Sequence, residues 1–291
     1  MLTPARTLAC SAATALPRMW WSALHRTKNW EAHNGTLDST RRPVCADRGT
    51  FMTFVCRNTV LSQIEPAILM RAGNRIEKIE VRRGSVLQES GATVQWVYFP
   101  EDSLICLDSE NVQGESVSGG MIGWNGVYGA FEACGSRKSF SRGLVQITGS
   151  CFKVRADYYR ELFDQSAGLR LAIHRHIEAV LVESRQLVAC AALHTVESRM
   201  CRVLLDASDR SHGGSLLSLT QETLAQILGV QRTTIAVTAS SLQKSRMIRT
   251  GRGNVQLLDR AKLEDTACSC RQAIADATDQ IYASREKACE A

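Results

Sequence analysis

The spacing of hydrophobic and polar positions changes character several times along these 291 residues. Between about Asn58 and Met70, Val60, Leu61, Ile64, Ile68 and Leu69 recur at helical spacing and predict a short helix. From Ile76 to about Val154 the texture becomes β-prone, with runs at 93–99 (ThrValGlnTrpValTyrPhe), 103–107 and 143–147. Gly, Asn, Asp and Pro separate these runs, which predicts an antiparallel roll or barrel with a glycine-dense corner at 119–126. The helical period returns with a short helix over Arg155–Phe163 and a long one over about Gly168–Cys190. Within the long helix Ile173, Ile177, Val180, Ser184, Leu187 and Ala191 alternate steps of four and three, as the a and d positions of a heptad do. Such a stripe serves core packing or a homodimer seam. Its length between two domains favours the seam, with Ile173, Ile177, Val180 and Leu187 as dimerisation residues.

A second pattern occupies 217–244. Thr220 is a good N-cap, Leu224, Ile227 and Leu228 fall on one inner side, and Ala225 is small where a second helix must cross. Gly229 stands where the chain must turn with positive φ, Val230 plugs the corner, and Ile235, Ala239 and Leu242 form the inner side of a second helix from near Gln231. Thr238 departs from the pattern, since an apolar residue is usual there. Residues 247–259 then read as two short strands around a Gly-Arg-Gly-Asn turn, which makes the unit a winged helix-turn-helix. In that geometry the start of the second helix reads base edges in the major groove. Arg232 is the best candidate for guanine; Thr233 and Val237 share its exposed face; Gln221, Gln231 and Thr234 suit phosphate, as do Arg249 and Arg252 of the wing.

Charge agrees with that partner. The net charge is +6, and from Ser198 to Lys262 ten Lys and Arg stand against four Asp and Glu, while the middle of the chain is mildly acidic. A basic C-terminal module suits double-stranded DNA, though a solvated basic surface would carry the same excess. No apolar run approaches the roughly 18–20 residues of a membrane span. No HExxH, GxSxG or phosphate-binding loop is present, so no enzyme is expected.

The eleven cysteines are scattered without a CxxC, which fits neither a disulfide framework nor a zinc finger and suits a reducing cytoplasm. Cys190 and His194 would share a helical face, but two ligands do not make a site, and buried Cys is usually a small hydrophobe. Cys268 and Cys270 read by default as a turn in the tail. Neither pair is assigned a metal, and no cofactor is expected. Residues 1–50 lack periodicity and any secretory pattern, and Met52 is an alternative start, so the segment is given no function.

The order of roll, long helix and winged helix, with GlyValGlnArgThrThrIle (229–235) opening the second helix, resembles the Crp/Fnr superfamily of transcriptional regulators over about residues 56–270. Arg82–Leu87 with Ser90-Gly91 is similar to the family's early roll corner. Val97–Pro100, Ala192–Arg199 and Cys268-Ser269-Cys270 look like features of one of its subgroups. The resemblance implies an α+β fold: a cyclic-nucleotide-binding-like β-roll (56–166), a dimerisation helix (167–193), a winged helix-turn-helix (194–262) and a C-terminal tail (263–291), behind an extension at 1–55. It implies a cytoplasmic homodimer that binds DNA, contacts RNA polymerase if it activates, and takes an unknown small effector or none.

Cyclic-nucleotide binders of the family hold the ribose with a Glu and the phosphate with an Arg. Here Trp124 stands where that Glu belongs, and Lys138-Ser139 is the nearest counterpart of the basic pair. The N-terminal cysteine cluster of the iron–sulfur sensors is missing, Cys45 and Cys56 lying too far apart. Two other readings stay open: a small-molecule or redox sensor whose winged helix meets protein, and a cyclic-nucleotide-responsive regulator.

Overall fold

Pro66 decides how the first helix forms. A residue before proline is pushed out of the helical region, and Glu65 is extended at φ −57°, ψ 132°. The expected helix over 58–70 is therefore split into a 3-10 turn at Leu61–Gln63 and α1 (Pro66–Ala72). The computed structural model describes residues 56–212 and 214–283, so the extension assigned to 1–55 lies outside the described residues. Asn58, fully buried, ties the start of this segment down. Its amide donates to the Pro100 and Gly126 carbonyls, and its oxygen accepts from the Val60 and Leu61 amides.

The roll is two antiparallel sheets. One has the order β1 (Ile76–Val81), β7 (Gly149–Arg155), β3 (Trp96–Pro100). The other runs β2 (Val86–Gln88), β6 (Arg142–Ile147), β4 (Leu104–Glu110), β5 (Ser116–Ile122). Strand β3 is apolar throughout because both its faces are covered. Tyr98 points between the sheets to Ile105, Tyr128 and Val145, while Val97 and Phe99 point outward under helices. The glycine-dense stretch is half strand: 119–122 complete β5, and only Gly123 to Gly126 turn the corner. There Gly123 lies against the Arg210 backbone, with no room for a Cβ.

Helices α2 (Ala130–Cys134) and α3 (Ala156–Gln165) lead into α4 (Ala167–Leu193). Ser166 caps α4 by accepting from the Leu169 amide, and the Glu65 carboxylate meets both the Ser166 hydroxyl and the Gly168 amide, where a helix N-terminus favours negative charge. Behind α4 come α5 (Val196–Arg210), the short strand β8 (Leu216–Leu217), α6 (Gln221–Leu228), α7 (Arg232–Lys244) and a hairpin of β9 (Ile248–Gly251) and β10 (Asn254–Leu257). The described part of the segment expected to be a tail is largely helical: α8 (Arg260–Thr266) packs on α5, and α9 (Cys270–Ala283) runs back along α4.

The winged module docks on the roll. Leu104, Cys106 and Met121, on the outer face of the four-stranded sheet, form one core with Met200, Leu204, Leu224, Leu228 and Ile235. Hydrogen bonds frame that contact, from Gln226 to Ser116, Thr223 to Gln146, and Arg83 to the Gly253 carbonyl.

His176 on α4 is buried against the Gly126 corner and accepts from the Val127 amide. Burial pushes its pKa down to about 4, with Arg210 nearby acting in the same direction. The unfolded chain therefore takes up this proton first, at about pH 6.5. The stabilisation is complete above that pH and is lost as the pH falls toward 4. Urea unfolding between pH 7.5 and 4.5 should show His176→Gln losing less stability over this window than the wild type, the wild-type effect amounting to about 3 kcal/mol.

Candidate nucleic-acid interface

Three local devices shape the helix-turn-helix. Thr220 accepts from the Thr223 amide at 2.9 Å and starts α6. Gly229 then adopts φ 61°, ψ 42°, a left-handed conformation that costs an L-residue a clash with its own Cβ. Its turn is closed by the Val230 amide on the Ala225 carbonyl at 3.1 Å, with Ala225 buried at the crossing. Arg199 from α5 donates to the Leu228 carbonyl and so satisfies another acceptor at the end of α6.

The second helix, α7, buries Ile235, Ala239 and Leu242. Thr238, the departure from pattern, is also buried, and its hydroxyl is satisfied by the Thr234 carbonyl one turn back at 2.9 Å. The opposite side of α7 is open: Gln231, Arg232, Thr233, Thr234, Ala236, Val237 and Ser240 are all exposed, Val237 to 73%. An apolar side chain that exposed, on a helix whose inner side is well packed, is available for contact.

The wing stands beside it. β9 and β10 pair from Ile248↔Leu257 to Gly251↔Asn254, and Gly253 takes φ +80° at the tip. Gln243 of α7 accepts from both the amide and the hydroxyl of Thr250, which fixes the wing against the helix. Arg249 and Arg252 are exposed on this hairpin. Gln221, half-buried at the first turn of α6, lines a groove with Arg232, Thr250, Gly251 and Gly253. The structure thus gathers Gln221, Gln231, Arg232, Thr233, Thr234, Val237, Arg249 and Arg252 around one module. The pattern did not single out Lys244 and Arg246, exposed basic residues at the C-terminal end of α7. Basic residues in a last helical turn were the available signal.

The seam residues fall differently. Ile173 is buried in the core of its own roll, Ile177 packs on the same core, and Val180 lines a cavity shared with α9. Leu187 is half-buried. The open side of α4 instead carries Leu181, Ser184, Val188 and Ala191, again at steps of three and four.

The nucleotide position is also differently furnished. The Trp124 indole donates to the Asp209 carbonyl on α5 at 2.9 Å and stacks on His212. Lys138 donates to Thr93 on the surface, and Tyr128 covers Gly143 inside the roll while its hydroxyl donates to the Ser141 carbonyl. A cavity of about 450 Å³ lies outside the roll, between the corner, α4 and α9, bounded by Trp124, His176, Glu183, Arg210, Ile274 and Tyr282. At the far end of α4, Cys190 and His194 stand next to Cys268 and Cys270.

Residues 198–266 match the Crp-like helix-turn-helix domain. Among curated proteins, none matches the chain. Solved structures with the same fold include FixK2 from Bradyrhizobium japonicum, 13% identical over 66% of this chain and 98% of that one, with a TM-score of 0.57. A crp/fnr-family transcriptional regulator from Eubacterium rectale is 14% identical over 72% and 98%, with a TM-score of 0.56. The c-di-GMP responsive global regulator CLP from Xanthomonas campestris is 15% identical over 66% and 99%, with a TM-score of 0.54. No helix among the described residues is long and apolar enough to cross a membrane.

Gly229 offers a check on the turn. Gly229→Ala should lower stability by about 1 kcal/mol, or the melting temperature by about 2–4 °C, through the left-handed backbone alone, since the nearest neighbour of the added methyl is at ordinary contact distance.

Proposed function

We propose that this chain, whose residues 198–266 match the Crp-like helix-turn-helix domain, is a transcriptional regulator of the Crp/Fnr superfamily and binds double-stranded DNA as a homodimer with the start of α7 in the major groove. The observation that carries this reading is the open face of α7, where Arg232, Thr233 and Val237 stand side by side above a packed inner face. Arg232 has the reach and the planar fork to bond guanine O6 and N7 together. Thr233 and Val237 offer a hydroxyl and a methyl pair to a base edge or a thymine methyl. Gln221, Gln231 and Thr234, at the first turns of the two helices, are assigned to phosphate, where backbone N–H groups add to the attraction. Arg249 and Arg252 extend that positive surface along the wing.

Two copies are needed to read two half-sites one helical turn apart. The surface assigned to pairing is the exposed stripe of α4 at Leu181, Ser184, Val188 and Ala191, with Ile177 at its edge. It runs in heptad phase, and Val188 is 72% exposed within a single chain. It shares Ile177, Ser184 and Ala191 with the stripe expected from sequence and takes Leu181 and Val188 in place of Val180 and Leu187, which leaves Ile173 and Val180 to their own chain.

Binding titrations on a selected operator and on random duplex separate the roles. Arg232→Ala should lose about 1–3 kcal/mol on the operator and little on random DNA. Arg252→Ala should weaken both alike and reduce the salt slope by about 1. Equal binding by wild type and Arg232→Ala on the operator would remove the assignment. For pairing, Leu181→Asp with Val188→Asp should convert a dimer to a monomer in light scattering, whereas Ile173→Val should leave the mass unchanged.

A further inference from the structure

We infer that Cys190, His194, Cys268 and Cys270 bind a single zinc ion that joins the end of the long helix to the segment behind the winged module. Their four ligand atoms all lie within 4.8 Å of one another. The closest approaches are 3.4 Å, between the Cys190 and Cys268 sulfurs and between the Cys270 sulfur and His194 Nδ1. Zinc at about 2.3 Å from each thiolate places tetrahedral sulfurs about 3.7 Å apart, so the set brackets the size of one ion. An iron–sulfur cluster distributes its thiolates over several irons and needs a wider cage. A disulfide needs sulfurs at about 2.05 Å, would use two of the four groups, and would leave the third cysteine and the histidine unexplained.

The chemistry of the set favours zinc over harder ions. Three thiolates and an imidazole form a closed tetrahedral donor set of the kind structural zinc uses, with all four positions filled by protein. The three sulfurs are buried, and they form a small apolar cluster apart from the other cores. Outer contacts suit thiolates. The Gln186 amide donates to the Cys270 sulfur at 3.1 Å. Arg202, 5% exposed, interacts with the Cys190 and Cys268 sulfurs, while its Nε–H has no hydrogen-bond partner within the protein. Zinc with three thiolates and a neutral imidazole carries one net negative charge, and the buried Arg202 guanidinium beside it, itself paired with Asp206 at 2.8 Å, favours that charge.

The geometry also gives the ion a task. His194 is the C-cap of α4, immediately before the chain turns into α5. The Cys268 amide donates to the Ser198 carbonyl on α5, and Cys270 opens α9, which returns along α4. One ion there connects α4, the α4–α5 joint and α9, and holds the angle at which the DNA-reading module leaves the long helix.

Metal analysis of the full chain, purified under reducing conditions and without chelator, tests this. The expected result is about one zinc per chain, falling below about a tenth in Cys268→Ser with Cys270→Ser and unchanged in Cys134→Ser, an exposed cysteine outside the set. Should the double variant fail to fold, cobalt supplied to zinc-stripped wild type gives an independent reading, with thiolate-to-cobalt charge transfer and the intense visible bands of tetrahedral cobalt expected. Sub-stoichiometric metal with no cobalt signature, iron together with acid-labile sulfide, or a Cys190–Cys268 disulfide in the mass of alkylated protein would each overturn the proposal.

Discussion

Leu104, Cys106 and Met121 face outward from the roll, and they do so because another module covers them. Met200, Leu204 and Leu224 close over these side chains, so one core runs from the four-stranded sheet into the helix-turn-helix. Burying a large apolar side chain is worth roughly 1.5–3 kcal/mol, and several at once outweigh the net worth of the hydrogen bonds that frame the contact. That contact sets where α6 lies, and α6 in turn sets α7 through the Gly229 turn. The exposed face of α7 is therefore a consequence of what its inner face and its neighbour α6 bury.

Much of this was legible in the residues. The β-prone runs and the Gly, Asn, Asp and Pro residues between them give the roll, and the order Thr220, Ala225, Gly229, Ile235 gives the helix-turn-helix, since each position there has a local steric reason. The wing follows from glycine at Gly251 and Gly253. Pro66 also carries a local rule, and the split of the first helix follows from it once its effect on Glu65 is applied.

The rest depends on contacts between distant segments. A heptad stripe shows which residues are apolar along one side of α4, but not which part of that side its own chain covers. The core of the roll takes Ile173 and α9 approaches Val180, so the open stripe is displaced to Leu181 and Val188. The cysteine and histidine pairs are a case of the same kind. Each pair is two ligands short when read alone, and 74 positions separate His194 from Cys268 along the chain. Only the return of α9 along α4 brings the four together. Helical character in 270–283 is a weak signal, because α9 is largely polar and borrows its stability from α4.

Trp124 carries a further consequence. A joint made by a bound ligand lasts only while the ligand is supplied. Here the indole bridges to the Asp209 carbonyl and lies on His212, so the bridge from corner to α5 belongs to the polypeptide itself. Its effective concentration is fixed by the chain and does not rise or fall with metabolism. A molecule built this way keeps the corner of the roll and α5 in register as a standing property of the chain.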